Sequence, residues 1–157
     1  MNDSGVSRDR LETIRDRIDD LDHRILALIN ERAGCALEVA DIKRAAGEAI
    51  NFSRPEREAQ VLRALSQGNG GPLDGEAVTR VFREIISACL ALEQPLSIAY
   101  LGPSGTFTEA AAYKHFGRSI DTRPLAAIDE VFREVAAGSA HFGVVPVENS
   151  TEGMVTH

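Results

Sequence analysis

The sequence has few of the residues that build metal centres or disulfide frameworks. It contains only two cysteines, Cys35 and Cys89, and four histidines in 157 residues. Neither set has the spacing of metal ligands, so we expect no metal site and no cofactor. Both cysteines fall within helical patterns, and we interpret them as small buried thiols in a reducing compartment.

Long apolar runs and excess positive charge are also missing. No stretch approaches the length that spans a membrane, and the N-terminal segment MNDSGVSRDR lacks the apolar core of a signal peptide. The 17 Lys and Arg against 24 Asp and Glu give a net charge of −7, which argues against nucleic acid or an anionic membrane as partner. We therefore expect a cytoplasmic protein in which any anionic ligand is held by a local positive field.

What the sequence does have is a long helical pattern from Arg8 to about Ala46. Apolar or small residues recur at alternating steps of three and four, at Leu11, Ile14, Ile18, Leu21, Ile25, Leu28, Cys35, Val39 and Ile42. This heptad-like spacing predicts one helix of about 55 Å. A helix of that length cannot bury this apolar stripe against itself, so it requires other helices or a second chain.

One position on the apolar stripe is charged. Arg32 follows Leu28 at the step where an aliphatic residue is expected. A buried guanidinium is costly unless an anion or a carboxylate side chain meets it. Arg15 and Lys43 lie on a neighbouring stripe, where solvated flanking charges are the ordinary interpretation. The pattern therefore singles out Arg32 as a candidate anion-binding residue.

Two shorter helices are predicted after the long one. The segment from Ser53 to Glu56 has the residues of a capping box at a helix start. Asp74 can cap a third helix, which carries a broad apolar face as far as Leu92. Residues 8–94 are thus predicted to form an all-α domain of three helices.

The pattern changes near Pro95. Short buried strands at 97–101 and 142–147 enclose two helices, the first of them opened by a second capping box, Thr106 to Glu109. Strands alternating with helices indicate a doubly wound α/β domain. Two clear strands, with a third suggested near Ile120, do not close a core. We therefore expect residues 96–157 to be an incomplete α/β domain, which gives the chain the class α + α/β.

Two groups of motifs resemble known families. The first group resembles the all-helical class of chorismate mutase and comprises IRDRIDDLD (14–22), LINER (28–32), VADIK (39–43) and RPERE (54–58). The second resembles the N-terminal part of prephenate dehydratase and comprises YLGPSGTFTEAA (100–111) and GVVPVENSTEG (143–153). In this order, the two groups resemble the bifunctional chorismate mutase–prephenate dehydratases of bacterial phenylalanine synthesis.

The resemblance implies an isomerase that converts chorismate to prephenate. This pericyclic rearrangement needs no nucleophile and no proton transfer, but the enzyme must hold a compact dianion and stabilise charge on its ether oxygen. By the motif match, Arg15 and Arg32 would bind carboxylates, and Lys43 would donate to the ether oxygen and to a carboxylate. Glu58 would accept a hydrogen bond from the substrate hydroxyl, and Arg57 lies beside Glu58 in the sequence.

Two further positions depart from the pattern of some family members. Where a Ser and, four residues later, a Gln line the site, this chain has Cys89 and Glu93. We interpret Cys89 as a small packing residue at the site. An ionised carboxylate cannot donate to an ether oxygen, so we hypothesise that Glu93 acts in its protonated form, with its pKa raised by a nearby substrate carboxylate. The alternative is that Glu93 is solvated at a helix end.

The spacing of the cations carries an independent inference. Arg15 and Arg32 are seventeen residues apart, or about 25 Å along one helix, which no small dianion spans. Either these residues serve different sites, or two antiparallel long helices bring Arg15 of one chain to Arg32 and Lys43 of another. The resemblance implies the second arrangement, an intertwined homodimer with two shared sites.

For the second domain, the resemblance implies that Thr106 and the segment Asn149, Ser150 and Thr151 line a dehydratase cleft. The turn from Gly102 to Gly105 could offer backbone N–H groups to an anion, although a plain strand-to-helix connection explains it equally well. The Thr-Arg-Phe segment expected for dehydratase catalysis does not occur in the 157 residues. We therefore expect dehydratase activity only in a longer form.

Two alternatives remain open from the sequence. The helices could form a non-catalytic dimerisation module, in which Arg32 pairs with a partner's carboxylate. The same helical scaffold also serves isochorismate-pyruvate lyases, although an attached dehydratase segment argues for prephenate as the product. The fold alone does not separate these functions.

Overall fold

The computed structural model describes residues 3–47, 55–149 and 153–154. Its first three elements are the helices α1 (Asp3–Ala45), α2 (Pro55–Gly68) and α3 (Gly75–Glu93). The prediction of one long helix is confirmed, although α1 begins at Asp3 rather than Arg8, and its 43 residues extend over about 65 Å. The predicted capping Ser53 lies outside the described residues.

Helix α3 is the central element of the helical part. The Asp74 carboxylate accepts a hydrogen bond from the Ala77 N–H at 2.6 Å, so the predicted cap of α3 is confirmed. Both α1 and α2 pack against α3. Its buried residues are Ile86, Ser87 and Cys89.

The apolar stripe of α1 is largely uncovered within one chain. Its large members are between 42% and 68% exposed, at Leu11, Ile14, Ile18, Leu21, Ile25, Leu28, Val39 and Ile42. Cys89 is buried as predicted, but the same prediction is wrong for Cys35, which is exposed. Most of the stripe has no covering residue in its own chain because α1 is longer than α3, which packs on it. Cys35 is exposed because it lines an open cleft between the three helices.

The α/β part begins with the three strands of a sheet and two helices. They are β1 (Leu96–Leu101), α4 (Phe107–Phe116), β2 (Ile120–Leu125), α5 (Ile128–Ala136) and β3 (Phe142–Val144). All three strands are parallel, in the order β2-β1-β3. The third strand suggested near Ile120 is confirmed as β2, whereas β3 ends at Val144, earlier than predicted. A short antiparallel pair follows, β4 (Glu148–Asn149) and β5 (Gly153–Met154).

The two helices of this part cover opposite faces of the sheet. Ile98 of β1 packs with Ala112 of α4 in one buried cluster. Its neighbour Ala99 packs with Val131 of α5 in another. Successive residues of a strand point to opposite faces, so the two clusters lie on the two sides of β1. This arrangement confirms the doubly wound prediction.

The turn before α4 lacks both hydrogen bonds of the capping box that the sequence predicts. Thr106 occupies the N-cap position, but its hydroxyl makes no capping hydrogen bond. The Glu109 carboxylate accepts instead from the N–H of the preceding Gly105 at 2.6 Å and from the buried Tyr100 hydroxyl at 3.0 Å. The Gly102 N–H donates to the Leu125 carbonyl. These two amides of the turn are therefore engaged within the chain.

The turn Gly117–Ser119, which follows α4, holds the α/β part against α3 through hydrogen bonds. The Arg118 N–H donates to the Glu84 carboxylate at 3.0 Å, and the Ser119 N–H donates to the Ser87 hydroxyl at 3.2 Å. Gly117 has φ +81°, and a Cβ atom there would lie 2.4 Å from the Cβ of Ser87. Only glycine allows the turn to approach α3 this closely.

This close approach predicts a difference between two glycine substitutions. Gly138 also has a positive φ, +75°, but a Cβ atom there would meet nothing within 4 Å. We expect Gly138→Ala to lower the free energy of unfolding by about 1 kcal/mol through backbone strain alone. Gly117→Ala should lower it by about 3 kcal/mol, because strain and overpacking add. Urea unfolding followed by circular dichroism measures both, and equal losses would contradict the close contact.

Candidate active site

A cleft of about 520 Å³ opens between α1, α2 and α3. Its polar lining residues come from all three helices and are Arg32, Lys43, Arg57, Glu58 and Glu93. Its apolar lining residues are Cys35, Ala36, Val39, Val61, Ile86 and Leu90. Five of the residues predicted from sequence are therefore brought together in one cleft. Two clefts of about 720 and 790 Å³ are larger, but they lie between the helical part and the α/β part.

Helical periodicity explains how each helix presents its lining residues. On α1, Arg32, Val39 and Lys43 follow one another at steps of seven and four, which places them on one face. On α3, Ile86, Leu90 and Glu93 are spaced by four and three. Arg57 and Glu58 lie in the first turn of α2. The cleft is thus formed where one face of each helix meets the other two.

The cleft is locally positive in a chain of net charge −7. Three cations, from Arg32, Lys43 and Arg57, line it with two carboxylates, from Glu58 and Glu93. Arg32 is half-buried, and no carboxylate of the described ranges pairs with it. Arg57 donates to the Gln60 side-chain oxygen at 2.9 Å. This charge distribution suits a small ligand that carries more than one negative charge.

Glu93 is half-buried at the end of α3 rather than fully solvated. Burial raises the pKa of its carboxyl group above the usual value, and the positive charges of Lys43 and Arg44 oppose that rise. The pKa of Glu93 is therefore already raised without a ligand, and the cause is desolvation. The hypothesis from the sequence attributed the whole rise to a substrate carboxylate.

Two of the predicted site residues do not reach this cleft within one chain. Arg15 is exposed on α1, seventeen residues before Arg32, and is not among the described residues that line the cleft. Cys89 is only 3% exposed and is also missing from the described lining. Its side chain is packed within the helical part, which fits a small packing residue, and its contact with a ligand stays a prediction.

The sequence pattern placed Cys35 and Val39 on the apolar stripe but did not identify the apolar lining of the cleft. Val39 is four residues from Lys43, and Ile86 and Leu90 precede Glu93 on the same face of α3. Spacing of three or four residues from a charged site residue was the available signal. It is a weak signal, because every buried helical face has the same spacing.

The predicted dehydratase residues are only partly within the described chain. Thr106 lines the cleft of about 790 Å³ between α3 and α4, and its hydroxyl donates to the Leu101 carbonyl at 3.5 Å. Asn149 belongs to the short strand β4. Ser150 and Thr151 lie outside the described residues, so the geometry of this group stays a prediction.

Neither a metal cluster nor a membrane helix occurs in the described ranges. Among residues 3–47, 55–149 and 153–154, no group of three His, Cys, Asp or Glu side chains is placed to hold a metal ion. None of the helices in those ranges combines the length and apolar character needed to cross a bilayer.

Comparison with known proteins gives two family matches along the chain. The family model of chorismate mutase type II matches residues 14–94, and that of prephenate dehydratase matches residues 98–157. The first match contains the three-helix cleft. The second begins within β1 and contains the rest of the α/β part.

Curated relatives carry both segments in the same order. A bifunctional chorismate mutase/prephenate dehydratase of Pseudomonas aeruginosa is 63% identical over 97% of this chain, and the aligned region is 42% of that relative. The protein of the same name in Neisseria gonorrhoeae is 50% identical over 90% of this chain, or 38% of its own length. The chain thus spans about two-fifths of the length of the curated relatives it matches.

The helical part resembles a solved structure. A chorismate mutase from Thermus thermophilus superposes with a TM-score of 0.51 at 30% sequence identity, covering 54% of this chain and 94% of its own. Its extent agrees with the family match, which includes just over half of the 157 residues. The chain belongs to the chorismate mutase type II family, and its C-terminal part matches prephenate dehydratase.

Proposed function

We propose that the three-helix cleft rearranges chorismate to prephenate. The observation that carries this proposal is the meeting of Arg32, Lys43 and Arg57 with two carboxylates on an apolar wall, in a cleft of about 520 Å³. The reaction requires a dianion to be held in its compact conformation, with no covalent or acid–base step. Fixed cations in a partly desolvated cleft supply that requirement.

Each charged residue has a distinct role in the proposed mechanism. Arg32 forms a fork-like pair with one substrate carboxylate, and Arg57 contributes a second guanidinium to the same cleft. Lys43 donates to the ether oxygen, where negative charge grows as the C–O bond breaks. The Glu58 carboxylate accepts a hydrogen bond from the substrate hydroxyl and so orients the ring. Donors aimed at developing charge contribute about 3 kcal/mol each to transition-state stabilisation.

We also propose that the active form is a homodimer with shared sites. The support is the uncovered stripe of α1 from Leu11 to Ile42, which a second copy of the same helix would cover. Antiparallel packing of two α1 helices would bring the partner's Arg15 to the cleft that holds Arg32 and Lys43. Arg15 then supplies the second carboxylate clamp that one chain lacks.

Glu93 is proposed as a neutral hydrogen-bond donor to the ether oxygen. Its support is the raised pKa and its place in the cleft wall beside Lys43. A bound dianion adds a like charge, which would raise the pKa further and favour the protonated form.

Residues 8–94 and 96–157 are proposed as two domains, the second being part of a prephenate dehydratase. The family match to residues 98–157 supports this assignment. We infer that dehydration of prephenate to phenylpyruvate belongs to longer proteins of this kind. A cytoplasmic location is proposed from the unpaired cysteines and the biosynthetic relatives.

Removing the proposed ether-oxygen donor should abolish most of the mutase activity. We expect Lys43→Gln to lower kcat/KM for chorismate by at least about 100-fold, because it deletes a donor to developing charge. Arg80→Gln removes a cation of α3 that lies outside this cleft and should change kcat/KM little. Loss of chorismate absorbance measures both variants. A wild-type protein that leaves chorismate unchanged would instead favour the dimerisation module.

Shared sites predict rescue between two inactive variants. Arg15→Gln and Arg32→Gln should each be inactive alone. Refolded together in equal amounts, about half of the dimers are mixed, and each mixed dimer holds one site with both arginines intact. We therefore expect about a quarter of wild-type activity. Absence of rescue, with dimers present by light scattering, would place Arg15 outside the site.

The protonation of Glu93 predicts a pH-dependent rate. Because only the neutral carboxyl donates, kcat/KM should rise as the pH falls below neutral. Glu93→Gln is neutral at every pH and should flatten this profile. Arg44→Gln removes a charge that lowers the pKa of Glu93, so the same rise should occur at higher pH. An unchanged profile in Glu93→Gln would exclude Glu93 from the reaction.

A further inference from the structure

The cleft of about 720 Å³ between the two parts of the chain is unused by the proposed reaction. It is formed by α2, α3 and the C-terminal end of α4. Leu62 and Phe116 are among its apolar residues, and Arg63 and Arg83 are among its cations. Glu58 lines both this interdomain cleft and the three-helix cleft.

Among the described residues, two arginines and two carboxylates line this interdomain cleft, but neither arginine forms an ion pair with either carboxylate. Arg83 is half-buried, and across the described ranges no carboxylate lies within ion-pair distance of Arg83 or Arg63. The carboxylates that line the cleft, Glu56 and Glu58, belong to the first turn of α2, and Glu56 is about 10 Å along the helix from Arg63. A partly desolvated guanidinium is best stabilised by an anion with two acceptor oxygens.

The aromatic wall of the interdomain cleft is held in place from two sides. The Phe116 ring lies 5.1 Å from the ring of Phe142 in the sheet and 4.6 Å, edge to face, from that of His115. The residues that follow, Gly117–Ser119, are hydrogen-bonded to α3. The wall therefore needs little rearrangement to accept a ligand.

We propose that the interdomain cleft binds a small aryl carboxylate. Arg63 and Arg83 hold the carboxylate, and the ring packs against Leu62 and Phe116. The volume lies within the range of about 300–1,000 Å³ that is typical of small-molecule sites. Because Glu58 is common to both clefts, a ligand here changes chorismate binding in the three-helix cleft, a consequence that rests on the proposed function.

Calorimetric titration with 3-phenylpropanoate tests the site, with the uncharged 3-phenylpropanamide as the matched ligand. We expect the carboxylate to bind the wild-type protein at least about tenfold more tightly than the amide. Arg83→Gln and the more exposed Arg63→Gln should each weaken binding about tenfold. Arg32→Gln, in the other cleft, should not. Absence of binding at millimolar concentration, or loss in Arg32→Gln alone, would overturn the proposal.

The fixed aromatic wall provides a second test with its own control. Gly117→Ala displaces the turn that follows Phe116 and should weaken 3-phenylpropanoate binding. Gly138→Ala introduces a similar left-handed alanine in open space, far from this contact, and should leave binding unchanged. Equal affinities in the two variants would contradict a site that depends on this wall.

The coupling between clefts is measured by mutase kinetics. In the wild type, 3-phenylpropanoate should raise the KM for chorismate. In Arg83→Gln the basal rate should be kept and this effect lost. Equal inhibition of both proteins would show competition within the three-helix cleft and overturn the coupling. A wild type without chorismate turnover would refute the proposed function, while calorimetry would still decide whether the interdomain site exists.

Discussion

A helix as long as α1 cannot bury its apolar stripe with the residues of one chain. The shorter α3 covers only part of its surface, and the stripe from Leu11 to Ile42 stays largely exposed. Most of the stabilisation of such a helix comes from packing rather than from backbone propensity. The proposed site depends on this uncovered stripe, since the second α1 helix that would cover it also supplies Arg15.

Helix α3 connects the two parts of the molecule because its faces have different partners. One face presents Ile86, Leu90 and Glu93 to the three-helix cleft. Glu84 and Ser87 accept hydrogen bonds from the turn of the α/β part. Displacement of this helix would therefore be felt in both clefts. The face of α3 toward the three-helix cleft is open and charged, whereas the face toward the α/β part is covered by the backbone of the turn around Gly117.

Features that depend on residues close together in the sequence were predicted correctly, whereas features that depend on contacts between distant segments were not. The long helix, the Asp74 cap and the parallel strands depend on local periodicity and short motifs, and the structure has them. The exposure of Cys35 depends on which helix covers which part of α1, and no local pattern encodes that. The capping box predicted at Thr106 failed for a similar reason, because Glu109 accepts instead from the Gly105 N–H and from the buried Tyr100 hydroxyl. For the candidate site, charged residues were identified through motif likeness, whereas the apolar lining and the desolvation of Glu93 required the packed arrangement.

The strand order β2-β1-β3 leaves the two outer strands unequal as templates for further pairing. β2 contains Pro124, which has no backbone N–H to donate, and prolines are typical of protected sheet edges. β3 is only three residues long, and within the described chain its sole neighbour is β1. β2 therefore lacks one backbone donor at Pro124, whereas each of the three residues of β3 retains its N–H, so the two edges of the sheet differ in the donors they present.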